Sequence, residues 1–136
     1  MSDRVLQKYI NRGAEAPPDV LAENGEDSES FGSFGFLRGV RDRAIALELR
    51  QKTGRILAVN YAFIGKFEFD PAIGITLHCG NQLIRIKGRN LNGEIRPNIR
   101  LFQGITRFRV PWLQEADRAA SMQAGKDSVV IDGIDW

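Results

Sequence analysis

Between residues 44 and 87 the chain repeats one pattern five times: apolar and polar side chains alternate, and turn-forming residues interrupt before the next run. In AIALELRQ, Ile45, Leu47 and Leu49 alternate with Ala46, Glu48 and Arg50. RILAVNY, KFEFD, GITLHC and QLIRIKG repeat it with Leu57/Val59, Phe67/Phe69, Ile75/Leu77/Cys79 and Ile84/Ile86 on the apolar side. Lys52-Thr53-Gly54, Asp70-Pro71 with Gly74, and Gly80-Asn81 separate the runs. A period of two sends successive side chains to opposite faces of a strand, so these segments predict short antiparallel strands with one buried face. No helical run lies between them, which excludes a parallel βαβ sheet.

An apolar sheet face must be covered or curl on itself. Leu91, Ile95, Ile99, Phe102 and Ile105 recur at spacings of four, four, three and three, a helical period. Pro97 fits a first helical turn, so the spacing predicts a helix over 96–108, with Arg107 and Arg109 suited to its negative end. The expected architecture is therefore mainly β, or α+β. A five-strand antiparallel sheet is curled, or closed into a small pleckstrin-like or Sm/SH3-like barrel, and is covered by one C-terminal helix. The expected core is Ile45, Leu47, Leu49, Leu57, Val59, Phe67, Phe69, Ile75, Leu77, Ile84, Ile86, Ile99 and Phe102.

This places one globular domain at 34–117. Before it, 1–33 reads as an acidic, largely disordered segment: GAEAPPDVLAENGEDSES has few large apolar side chains to offset ordering entropy. A short helix is expected in DRVLQKYI. After it, 118–136 reads as an acidic tail with an edge strand at Ser128–Ile131. FGSFGFLRG lacks the GK[ST] ending of a P-loop and the G-x-G-x-x-G of a dinucleotide fold, so its aromatics are expected to bury on the core. No signal pattern opens the chain, and no apolar run approaches the roughly 18 residues that span a bilayer, so a cytoplasmic protein without membrane contact is expected.

The stretch from FLRGVRDRAIALELR through Tyr61, FEFDPAIGITL, IRIKGRNL and RFRVPWLQEAD resembles a set of small uncharacterised bacterial proteins. Their pattern runs LRG…RA…LELR, Y…VEFDP..GI.L, GR.L and HRV.WI.E, and the likeness covers about residues 36–117. Where they carry His-Arg-Val, this chain has Phe108-Arg109-Val110, so no role passes to a histidine there. The resemblance implies one coherent domain and no particular activity.

The side chains leave little room for familiar enzyme chemistry. His78 is the single histidine and Cys79 the single cysteine, which excludes an internal disulfide and a Cys/His zinc site; no cofactor is expected. Adjacent in a strand, these two point to opposite faces and cannot pair as nucleophile and base. Glu68 and Asp70 share one strand face, and Glu48 could lie across the sheet; a divalent cation or acid–base chemistry needs a further converging oxygen donor, which the sequence does not place.

Charge is the more informative feature. The net charge of +2 divides into −4 over 1–30, +9 over 31–110 and −3 over 111–136, and 81–110 alone carries +6. Six of the seven cations in that last stretch are arginines, suited to bidentate phosphate contacts. The favoured reading is a non-enzymatic binding module whose basic face, Arg85, Lys87 and Arg89 extended by Arg50 and His78, contacts nucleic acid or another polyanion. A protein-interaction module or homo-oligomer using an edge strand or a sheet–helix groove is the alternative. A metal-dependent enzyme using Glu68 and Asp70 is the third.

Overall fold

A computed structural model describes residues 28–136. The helix expected near the N-terminus and most of the acidic stretch after it lie outside these residues. The protein is mainly β. Seven strands come first: β1 (Ser28–Ser30), β2 (Gly35–Leu37), β3 (Ala46–Arg50), β4 (Ile56–Asn60), β5 (Lys66–Asp70), β6 (Gly74–Cys79) and β7 (Gln82–Arg89). A small hairpin, β8 (Glu94–Arg96) and β9 (Ile99–Arg100), leads into α1 (Leu101–Thr106). Then follow β10 (Trp112–Gln114), α2 (Arg118–Gln123) and β11 (Val130–Asp135).

Strands β3 to β7 are the five that the alternation marks, and their neighbours in sequence pair antiparallel except at one place. β4 and β5 do not pair. After β4 the chain folds inward through a 3-10 turn at Tyr61–Phe63, whose start is capped by Asn60 Oδ1 accepting from the Ala62 N–H at 2.8 Å. Burying Tyr61 there ends the meander, so the expected five-strand sheet is two sheets and no barrel closes. One has the order β10-β3-β4 and the other β11-β7-β6-β5. β10 runs parallel to β3, with Leu113 opposite Leu49. The C-terminal part of the chain thus supplies an outer strand to each sheet.

The covering helix is shorter than its spacing predicts. Pro97 and Asn98 instead turn the β8–β9 hairpin: Asn98 takes the left-handed conformation (φ 69°) and its N–H donates to Glu94 Oε2 at 2.9 Å. Only Leu101–Thr106 is helical, and it buries Leu101 and Ile105, while Ile99 and Phe102 are half-buried. Gly104 lets this turn lie on Phe36, because a Cβ there would stand 2.7 Å from the ring.

The core joins Phe34, Leu37, Leu47, Leu49, Tyr61, Ile75, Leu77, Ile84, Ile86, Leu113, Ile131 and Ile134. Ile45 is a correction: it lies on the bend before β3 and is 53% exposed. Leu57, Val59, Phe67 and Phe69 are partly buried, since β4 and β5 each have a neighbour on one side only. The edge strand expected at Ser128–Ile131 is present as β11, set further along at Val130–Asp135, and it belongs to the core. Val130, Ile131 and Ile134 are buried, and β11 packs so closely on β7 that a Cβ at Gly88 would meet the Val130 carbonyl at 1.9 Å.

Residues 108–114 link these parts. Their carbonyls accept from Ala44 (to Phe108, 2.7 Å), Leu37 (to Arg109, 2.8 Å) and Glu48 (to Pro111, 3.0 Å). The buried Tyr61 hydroxyl donates to the Val110 carbonyl at 2.6 Å, and its ring stacks on Phe108 at 4.6 Å. Burial pushes the Tyr61 phenol well above its ordinary range, which favours the protonated form that donates this bond. Tyr61→Phe leaves that carbonyl without its buried partner and is expected to cost about 1–3 kcal/mol in urea unfolding. A variant as stable as the parent would show that the bond does not anchor the segment.

Candidate functional site

The five residues expected to form a basic face do not form one. His78, Arg85 and Lys87 do share the outer face of the four-stranded sheet. The register, however, sets Glu68, Thr76, Arg85 and Asp135 in one row across it, with Lys66 beside His78 in the next. Cations and carboxylates therefore interleave. His78 Nε2 lies 2.6 Å from Glu68 Oε1, Lys66 Nζ 3.9 Å from Glu68 Oε2, and Lys87 Nζ 3.5 Å from Asp135 Oδ2. Arg89 turns away at the strand end, donating to the Ser121 carbonyl and hydroxyl at 3.0 and 3.2 Å. Arg50 sits in the other sheet, its Nε 2.6 Å from Glu48 Oε1 and its guanidinium 4.7 Å from the Trp112 ring centre.

The carboxylates expected to converge are likewise parted. Glu48 belongs to the three-stranded sheet and is held by Arg50, while Asp70 Oδ1 accepts from the Ala72 N–H at 2.8 Å. Among the described residues no group of three His, Cys, Asp or Glu side chains is placed to hold a metal ion. Cys79 packs against the core, and burial raises its thiol above the ordinary value, which disfavours the nucleophilic thiolate. No helix among the described residues is long and apolar enough to cross a membrane.

What distinguishes this surface is how each sheet edge is finished. A free edge exposes unpaired N–H and C=O groups that invite another strand, and proteins guard such edges with charge or cover. The outer edge of β10 is covered: Gln114 N–H donates to the Ser33 carbonyl at 2.8 Å, and Phe34 bridges Leu113. The outer edge of β11 is stapled, since the Ile131 carbonyl accepts from the Ala116 N–H at 2.8 Å. Glu115 Oε2 accepts from Ile134 N–H at 2.7 Å, and Gln51 Nε2 donates to the Ile134 carbonyl at 2.7 Å. β5 is unpaired on its outer side but carries Lys66, Glu68 and Asp70.

Among the described residues β4 has neither device. The Tyr61 N–H donates to Ile45 and the Gln51 N–H to the Arg55 carbonyl, at 2.9 and 2.8 Å, so odd-numbered residues of β3 and β4 face one another. Strand alternation then turns the N–H and C=O groups of Ile56 and Ala58 and the N–H of Asn60 outward, while the Asn60 carbonyl opens the 3-10 turn. Their side chains are uncharged and exposed, with Ile56 at 58%, and Phe63 just beyond is 71% exposed. Sequence reasoning missed this site because strand order is not written in the alternation. The contrast between neutral ILAVN and charged KFEFD was the available signal.

Comparison with protein-family models, curated proteins and solved structures finds no match.

The His78 hydrogen bond, aided by Lys66, holds the Glu68 carboxyl below the ordinary carboxylate range. This small stabilisation is therefore present above about pH 4.3, the ordinary glutamate value, and is lost as pH falls through the depressed folded value. NMR titration is expected to show Glu68 protonating below about pH 4.3, and His78→Ala is expected to move it upward. An unchanged midpoint in the variant would show that the contact does not persist in solution.

Proposed function

We propose that the protein is a non-enzymatic interaction module that associates with a second copy of itself by strand addition at β4. The observation that carries this reading is the contrast among the four outer strands of the two larger sheets. β10 and β11 are covered and β5 is charged, whereas β4 presents outward backbone groups between neutral side chains.

The strand suits a copy of itself. Its five residues are centred on Ala58, one of the outward-bonding positions. A two-fold axis there sets Ala58 against Ala58 of the partner and Ile56 against Asn60, in a register where the two Ala58 residues exchange N–H···O=C bonds and each Asn60 N–H meets an Ile56 carbonyl. No charge meets its like, and no large side chain stands at the centre. The product is one sheet with β4 paired on both sides, and Ile56 gains a cross-strand neighbour. Interleaved charges on the four-stranded sheet weigh against the alternative of an extended polyanion tracking across His78, Arg85 and Lys87, since it would also meet Glu68 and Asp135.

Light scattering at tens of micromolar is expected to give twice the 15.2 kDa chain mass. Ala58→Pro removes the central outward N–H at a position where an edge strand tolerates proline, and Ile56→Lys installs a guard charge. Both are expected to restore the monomer with unchanged circular dichroism. A parent protein that stays monomeric, or a dimer indifferent to both substitutions, would overturn this function.

A further inference from the structure

The arginines left out of the expected basic face gather elsewhere. A cleft of about 360 Å³ opens between β2, the β8–β9 turn and α1, and its polar lining is Arg38, Arg107, Arg109, Asn98, Gln103 and Glu29. Its single carboxylate is already engaged: Glu29 Oε2 lies 2.6 Å from Arg96 Nη1. Among the described residues no carboxylate stands within ion-pair distance of Arg38, Arg107 or Arg109.

Arg109 is the most constrained of the three. Its guanidinium lies 4.9 Å from the Phe36 ring centre, and its Nη2 donates to the Leu37 carbonyl. Its Nε is shut off from solvent with no acceptor. A buried donor without a partner is uncommon and calls for a cause. Burial, then the nearby Arg43 charge, weigh against its protonated form, with Arg107 adding to them and Asp42 opposing them. A guanidinium does not give up its proton at physiological pH, so the site retains an excess of positive charge that Asp42 offsets only in part. An anion would relieve it.

We infer that this cleft is a binding site for a small phosphate-bearing ligand, held by Arg38, Arg107 and the open part of Arg109. Phosphate offers several acceptor oxygens to guanidinium forks that lack them, and Gln103 and Asn98 supply further amide donors at the wall. The volume admits a compact ligand. A long polyanion fits less well, because Glu29 and Arg96 close the β1 side with an ion pair and Glu94 stands just beyond on β8. The site lies on elements other than β4, so it stands or fails independently of self-association.

Titration calorimetry with inorganic phosphate and with pyrophosphate tests the site, using the full chain. Saturable binding at one site per chain is expected, tighter for pyrophosphate. The exposed substitutions Arg38→Gln and Arg107→Gln are each expected to weaken it about tenfold, the effect of losing one charge-assisted contact, while Arg85→Gln leaves it unchanged. Circular dichroism of each variant separates loss of binding from loss of fold. Should Arg107→Gln fail to fold, a shift of the Arg109 Nε–H resonance on adding pyrophosphate to the parent protein gives the same answer. No binding at millimolar pyrophosphate would overturn the inference, as would binding that Arg85→Gln weakens equally. A single-stranded oligonucleotide that binds more tightly as it lengthens would overturn it in favour of a polyanion surface.

Discussion

The structure hangs on the hydrogen bonds that residues 108–114 make to three distant segments. Backbone N–H groups of Leu37, Ala44 and Glu48 and the hydroxyl of Tyr61 all donate to carbonyls between Phe108 and Pro111. These contacts join parts of the chain separated by tens of residues, so their loop-closure cost must be met by burial and by bonds that water cannot contest. Phe108 adopts a left-handed backbone (φ 61°), a conformation that a bulky side chain seldom takes, while its ring stacks on Tyr61. Packing and hydrogen bonding overrule local preference there.

That anchor decides what the surface offers. By giving β10 to one edge of β3, it commits the opposite edge to β4 and leaves the far side of β4 as the outermost backbone of that sheet among the described residues. The same segment carries Arg109 onto Phe36 and brings Arg107 to the mouth of the cleft that Arg38 shares. A bare strand edge and an arginine-lined cleft thus have one structural origin. They differ in the chemistry they invite, one backbone pairing and the other anion contact.

The sequence showed the strands more readily than their neighbours. Alternation located β3 to β7 because inward side chains such as Leu47, Leu77 and Ile86 must repeat every second residue to reach the core. It could not show that β4 and β5 part company, since the inward turn depends on Tyr61 reaching Val110, 49 residues away. The helical spacing from Leu91 to Ile105 misled for a related reason: the Pro97-Asn98 turn interrupts it, and Ile99 meets the core from a strand. In 118–136 the edge strand at Ser128–Ile131 was legible, but the acidic composition hid that it runs on to Asp135 and seats Val130, Ile131 and Ile134 against β7 and the core. Arginine content was legible and its placement was not. Arg85 and Lys87 share a strand face, as their spacing requires, but the carboxylates that answer them come from β5 and β11.

Amide hydrogen exchange, followed residue by residue across a wide range of protein concentration, tests the central claim that β4 is the edge open to another chain. The N–H groups of Leu57 and Val59 point to β3 and should exchange slowly at every concentration, whereas that of Ala58 points outward. Ala58 is expected to exchange rapidly in dilute solution and to become protected as concentration rises, in step with association. Exchange at Ala58 that is independent of concentration would contradict it.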